Sequence, residues 1–159
     1  MSTQMQQLYQ QVILDQSRAR IGNTELLRDA AESPHGHSHQ VNPTCGDEIE
    51  LETELLDDGT VAVRWTGDGC SISMASASVL SELAADSSVS QMLEIEGAFH
   101  ELMHSRGTMV ADESILGDAA AFTGVSKFPA RIKCALLAWM AFKDALNQAQ
   151  AAREEKHNA

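Results

Sequence analysis

No stretch of this chain approaches the roughly 20 consecutive apolar residues that a membrane-crossing helix needs. Positive charge is scarce: 11 lysines and arginines stand against 23 aspartates and glutamates, a net charge of −12. A phosphate backbone would be repelled by most of such a surface, so nucleic acid is not an expected partner. Cysteine is sparse too. Cys45, Cys70 and Cys134 are odd in number and widely spaced, unlike the disulfide framework of a small secreted domain. The opening residues, Met1 to Gln7, lack the basic-then-apolar pattern of an export signal. Together these absences lead to the expectation of a cytoplasmic protein with reduced thiols, free for metal or sulfur chemistry. At 159 residues the chain can bury a core without disulfides. It reads as one domain over residues 1–150, with a charged tail at 151–159 that is expected to fray.

The periodicities predict helices around a small sheet. Met5, Leu8, Tyr9 and Val12 recur at helical spacing, which predicts an N-terminal helix of about three turns. Residues 24–31 suggest a short second helix capped by Thr24. The segment Glu32–Gln40 has neither period nor apolar content and reads as a mobile loop. From 48 to 55 the chain alternates strictly, with Glu48, Glu50, Glu52 and Glu54 opposite Ile49, Leu51, Thr53 and Leu55. That predicts a half-buried strand with one wet face. A turn at Asp57-Asp58-Gly59 returns a second strand through Val61, Val63 and Trp65. A helix of small residues follows Cys70. Ser88 and Gln91 suggest a capping box for a helix to about Arg106 that stops at Gly107. A short helical piece is expected at 114–122. The last helix starts at Pro129 and runs to about Gln148.

The hairpin also serves as a ruler. A turn centred on Asp58 sets Leu55 against Val61, Thr53 against Val63 and Leu51 against Trp65, all on the apolar face. Continued, this register sets Cys70 opposite Gly46, flanked by Cys45 and Asp47, and puts Cys45 and Asp47 on the face that helices must cover. Cys70 and Cys134 each stand where a helix begins, and Lys127, Arg131 and Lys133 crowd before Cys134. Helix dipoles and nearby cations favour thiolates there. Free cysteines are most often small buried hydrophobes. Here, however, the register joins Cys45, Asp47 and Cys70, and with Cys134 three thiolates and a carboxylate would suit tetrahedral zinc or part of an iron–sulfur cluster.

Two other motifs compete. His35, His37 and His39 alternate, and in an extended chain three imidazoles on one side could meet a metal; a flexible polar linker is the commoner outcome. His100-Glu101-Leu102-Met103-His104 matches the H-E-x-x-H pattern of zinc proteases. Both histidines fall roughly 100–150° from the apolar stripe of Met92, Ile95 and Phe99, towards solvent. No third ligand follows on a later helix, so a solvated face is favoured and a metalloprotease is the remote alternative.

The segments NPTCGD, GDGCSISMASAS and FTGVSKFPARIKCALLAW, in that order, resemble the SufU-type iron–sulfur assembly proteins, relatives of the IscU scaffold. The resemblance runs from about Leu8 to Leu146. It is nearer the SufU branch, because Lys133 stands where IscU-type scaffolds carry a histidine. Phe128-Pro129-Ala130-Arg131 likewise replaces their Leu-Pro-Pro-Val-Lys segment. The likeness implies an α+β fold, a small antiparallel sheet packed on one face by several helices. It implies zinc held by Cys45, Asp47, Cys70 and Cys134, with a transient iron–sulfur cluster or iron as the alternative. It further implies a SufS-type cysteine desulfurase as partner, with downstream iron–sulfur assembly proteins beyond it. In that picture Cys45 leaves the metal to accept persulfide sulfur, and Arg131, with Lys133, stabilises anionic sulfur or meets the partner. The chain would then be a sulfurtransferase-like partner of the desulfurase rather than a free-standing enzyme; the alternative is a scaffold on which a cluster is assembled. The loop with His35, His37 and His39 has no counterpart in that resemblance.

Overall fold

Alternation of charged and apolar residues builds an antiparallel sheet of three strands in the computed structural model, which describes residues 2–158. Strand β1 spans His35–Asn42, β2 Asp47–Leu55 and β3 Val61–Asp68, in the order β1-β2-β3. The β2–β3 register pairs Leu55 with Val61, Thr53 with Val63 and Leu51 with Trp65, residue for residue as expected. Its ladder ends at Glu48 opposite Asp68, which leaves Asp47 and Cys70 as neighbours just beyond it.

Five α-helices are described: α1 Thr3–Ala19, α2 Ser71–Ala85, α3 Val89–Met103, α4 Glu113–Leu116 and α5 Pro129–Asn158. A 3₁₀ run, Gly117–Lys127, links α4 to α5. Helix α5 lies along β1 and β2, while α2 covers β3 and carries α1 on its other side. Helices therefore cover one face of the sheet, as expected of the α+β class. Helix α2 is buried along most of its length because serine and alanine let its neighbours approach. The hydroxyls are not wasted: Ser76 donates to the Ala135 carbonyl at 2.6 Å, and Ser78 donates to Gln16 at 2.6 Å. Between the helices, Phe99 stacks on Trp139 and meets Phe122 edge-on, with centroids 4.5 and 5.7 Å apart. Such pairs contribute about 0.5–1.5 kcal/mol each beyond their buried area. The capping box of Ser88 and Gln91 forms as expected.

Several expectations are corrected. The segment around His35–Gln40 is no loop but the edge strand β1. Its inward positions, Gly36 and Ser38, are too small to show an apolar alternation. A Cβ on Gly36 would stand 2.3 Å from the Ala145 carbonyl, so α5 can lie this close only over glycine. Residues 24–31 do not form a helix, and only Arg28–Ala30 makes a 3₁₀ turn. Their backbone is used elsewhere: the N–H groups of Leu27 and Arg28 donate to Glu52, and Thr24 N–H donates to the Trp65 carbonyl. The glutamate face of β2 is consequently wet only at one end. Glu52 is fully buried and Glu54 nearly so, both paired with Arg64. Helix α1 is longer than three turns, with Met5 and Leu8 exposed and Tyr9 and Ile13 packed against the core. Helix α5 passes Gln148 and continues to Asn158. Met1 and Ala159 lie outside the described residues. Among the described residues no helix is long and apolar enough to cross a membrane.

Candidate metal centre

Asn42 pairs with Asp47 at the closed end of β1 and β2, so Pro43-Thr44-Cys45-Gly46 is a four-residue turn. Cys45 N–H donates to the Asn42 carbonyl at 3.2 Å, and Gly46 turns the chain with φ +71°, a conformation that favours glycine. Of the two residues expected on the covered face only Asp47, the first residue of β2, is fully buried; Cys45 lies in the turn before the strand and is exposed at its tip. Cys70 caps α2: its sulfur accepts from Ser73 N–H at 3.5 Å, and its own N–H donates to Asp47 Oδ1 at 2.8 Å. Gly69 must be bare for this approach, since a Cβ there would lie 2.5 Å from Asp47 Oδ1. Cys134, buried in the second turn of α5, completes the cluster from below.

The ligand atoms of Cys45, Asp47 and Cys134 lie within 4.8 Å of one another. Cys70 adjoins them, with its sulfur 3.7 Å from Asp47 Oδ2. The four residues expected to form one site are thus neighbours, three in a tight group and the fourth against their carboxylate.

The electrostatics of this group are unbalanced. Burial works against ionisation of Asp47, yet the Cys70 N–H, the Ser73 hydroxyl and the thiols of Cys134 and Cys70 outweigh it and hold the carboxyl below its ordinary value. Burial, followed by the contacts with Asp47, Cys45 and Cys70, pushes the Cys134 thiol well above its ordinary value. Among the described residues no lysine, arginine or histidine forms a salt bridge with Asp47. Four acidic groups therefore crowd one partly buried point with no cation of their own. A metal ion would answer that arrangement, because it would replace the thiol protons and compensate the carboxylate. Three sulfurs and one oxygen form a donor set suited to a borderline-soft ion in a four-coordinate site.

Two contributors escaped the sequence reading. Ser73 donates to Asp47 Oδ2 at 2.7 Å and contacts the Cys134 carbonyl at 3.2 Å, joining three of the site's residues. Its signal was its place three residues after Cys70, where a helix cap finds its donor. Buried Asn42 directs its amide to the Cys134 sulfur at 3.8 Å, and nothing in the sequence distinguishes it from a turn residue.

The competing motifs are placed elsewhere. His100, Glu101 and His104 are exposed, and the two imidazoles adjoin each other, tilted by 32° with centroids 4.2 Å apart. His104 is the cap that ends α3, and its ring nitrogen contacts the His100 carbonyl. Arg131 lies over the Phe128 ring at 4.7 Å, in a groove it shares with Tyr9, Ile13, Ile72 and Val125. His35, His37 and His39 share the face of β1 turned away from α5.

Comparison with known proteins agrees with this picture. The family described as NifU-like N terminal domain matches residues 8–135. The chain is 40% identical over 136 residues to the zinc-dependent sulfurtransferase SufU of Bacillus subtilis (strain 168), covering 86% of this chain and 87% of that protein. It is 34% identical over 131 residues to the iron–sulfur cluster assembly scaffold protein IscU of Streptococcus pyogenes serotype M1, covering 77% and 81%. Among solved structures, a candidate iron–sulfur cluster assembly scaffold for the SUF system from Fervidobacterium islandicum AW-1 superposes with a TM-score of 0.68 at 31% identity. It covers 85% of this chain and 93% of its own.

Proposed function

The chain belongs to the NifU-like N-terminal domain family, and from that premise we propose that it accepts persulfide sulfur on Cys45 for iron–sulfur cluster assembly. The observation that carries the proposal is an asymmetry of exposure: Cys45 is open at a turn, while Asp47 and Cys134 beside it are 0% and 3% exposed. One ligand of the group can meet another protein, and the others can hold the site in its absence.

Cys45, Asp47, Cys70 and Cys134 are the residues that would hold zinc. When bound, zinc keeps the thiols ionised at neutral pH and ready for exchange. Cys45 then turns outward on its short loop, and its thiolate attacks the terminal sulfur of a persulfide on the partner. A sulfur–sulfur bond forms on Cys45, the partner's own sulfur–sulfur bond breaks, and the partner cysteine leaves as a thiolate with the electron pair. No oxidant or reductant is needed. Asp47 stays ionised through the Cys70 N–H and the Ser73 hydroxyl, so the buried part of the site keeps its shape. Arg131, exposed at the start of α5, is proposed to stabilise anionic sulfur or to meet the partner. The partner is a SufS-type cysteine desulfurase, as for the protein family the chain resembles, with downstream assembly proteins as acceptors.

The second reading is a scaffold for cluster assembly, favoured by the similarity to an IscU scaffold protein and by a donor set that iron also accepts. Metal content, desulfurase stimulation and persulfide transfer, measured for wild type, Cys45→Ala and His100→Ala/His104→Ala, test the proposal. Cys45→Ala should abolish sulfur acceptance, and the histidine variant should behave as wild type. Normal acceptance by Cys45→Ala would sink the transfer reading. A stable chromophore after anaerobic reconstitution with iron and sulfide, passed on to an apo-acceptor, would move the assignment to a scaffold. Zinc lost only from the histidine variant would revive the metalloprotease.

A further inference from the structure

The histidines of β1 are the motif that the cysteine centre does not absorb, and their placement in a strand changes what they can do. Gly36 and Ser38 face α5, so His35, His37 and His39 stand together on the opposite, outer face of the sheet. The register brings a row of glutamates beside them: His35 opposite Glu54, His37 opposite Glu52 and His39 opposite Glu50, with Glu48 one pair further along. Most of that row is already committed. Glu52 and Glu54 are buried against Arg64, and Glu50 pairs with Arg28. His35 turns its Nδ1 to the Ser33 carbonyl at 3.0 Å. What remains is His37, His39 and Glu48. His39 and Glu48 already touch, Nε2 to Oε1 at 2.6 Å, with side chains 50% and 61% exposed. His37 is exposed on the same side.

Two residues along a strand advance roughly 7 Å, a spacing from which two imidazoles can turn towards one ion. Imidazole and carboxylate suit borderline divalent metals such as nickel, copper and zinc. We propose that His37, His39 and Glu48 form a second metal site on the outer face of the sheet, for a borderline divalent ion. In the rotamers present His37 is not within reach of the other two, since Cys45, Asp47 and Cys134 are the group of three that meets among the described residues. Binding therefore rotates His37 towards His39. With no thiolate and with open access, the site is exchangeable, unlike the buried cysteine centre. It stands independently of the function proposed for Cys45.

Nickel, titrated calorimetrically into protein whose cysteine centre is already filled with zinc, is the test. Wild type should take up a further equivalent, and His37→Ala/His39→Ala should lose it while keeping its zinc. Each single alanine should weaken uptake about tenfold or more, in keeping with the loss of one of three ligands. His100→Ala/His104→Ala should leave uptake unchanged. No extra uptake by wild type, uptake that survives in the strand variant, or uptake that follows the α3 histidines would each overturn the site. Should the double variant fold poorly, paramagnetic broadening of ring-proton resonances in wild type decides the matter. Broadening of His37 and His39 first is expected, and broadening of His100 and His104 first would refute the proposal.

Discussion

Strand β2 buries carboxylates at both ends and keeps them in two different ways. At the open end Arg64 forks between Glu52 and Glu54, 2.8 Å from each, and backbone N–H groups of Leu27, Arg28 and Ser33 add further donors. At the closed end Asp47 also accepts good hydrogen bonds, from the Cys70 N–H and the Ser73 hydroxyl, but its other neighbours are thiols. Both ends satisfy their oxygens. Only one supplies a cation. The glutamate end is complete within the chain and is structural, whereas the aspartate end is a group of ligand atoms that could hold a metal, and the accessible thiol stands at that end.

The largest effect should come from breaking the complete end. Arg64→Met leaves two buried carboxylates without their cation, which costs about 3–5 kcal/mol. Thermal unfolding should show the same loss with and without zinc, because the proposed metal site lies at the other end of the strand. A loss that zinc repairs would mean that the two ends are not separate.

Asp47→Asn should do the reverse. Zinc at 100 times its dissociation constant stabilises the wild type by about 2.7 kcal/mol, by mass action. At the same zinc concentration the variant should gain far less, since it lacks the anionic ligand, and its metal-free form, in which the Cys70 N–H and the Ser73 hydroxyl lose their charged acceptor, supplies the baseline for that comparison. An unchanged zinc-dependent shift in melting temperature would remove Asp47 from the ligand set.

Acid distinguishes the ends in a subtler way. Burial works against ionised Glu52, but Arg64 and the two backbone donors outweigh it and hold its carboxyl below the ordinary value of 4.5. A group depressed on folding contributes stability above its unfolded value and loses it as pH falls through the folded one. Stability of the wild type should therefore fall with acid from about pH 4.5 downward. In Arg64→Met that portion of the decline should vanish, as followed by urea midpoints at successive pH values.

How much of this was visible in the residues depends on which forces were local. The β2–β3 register, the Ser88 cap and the place of Cys70 at a helix start follow from alternation and capping, which neighbours in sequence decide. Cys45, Asp47 and Cys70 could be assembled from that register alone. Strand β1 could not be seen, because close packing on α5 selects glycine and serine where an apolar alternation would have announced a strand. The burial of Glu52 and Glu54 was equally hidden. It depends on Leu27, Arg28 and Ser33 folding over the outer face, the first two from a segment that suggested a helix and the third from one that read as a loop. Cys134 lies far along the chain, and only the path of α5 brings it beneath the turn.

Ser73 offers the smallest and most specific test of the comparison. Its hydroxyl is one of the donors that stand at the closed end where Arg64 stands at the other. Ser73→Ala removes one hydrogen bond to a charged acceptor, about 1.5–3 kcal/mol at most and less if water enters from the Cys45 side. The sign follows from what the hydroxyl supports. Without it the Asp47 carboxyl should rise towards its ordinary value in metal-free protein, measurable by carboxyl-carbon NMR titration, and zinc affinity should fall about tenfold. Ser73→Thr keeps the hydroxyl and should restore both. If alanine lowers zinc affinity but leaves the Asp47 titration unmoved, Ser73 acts on the Cys134 carbonyl instead. The carboxylate would then rest on the Cys70 N–H and the thiols beside it.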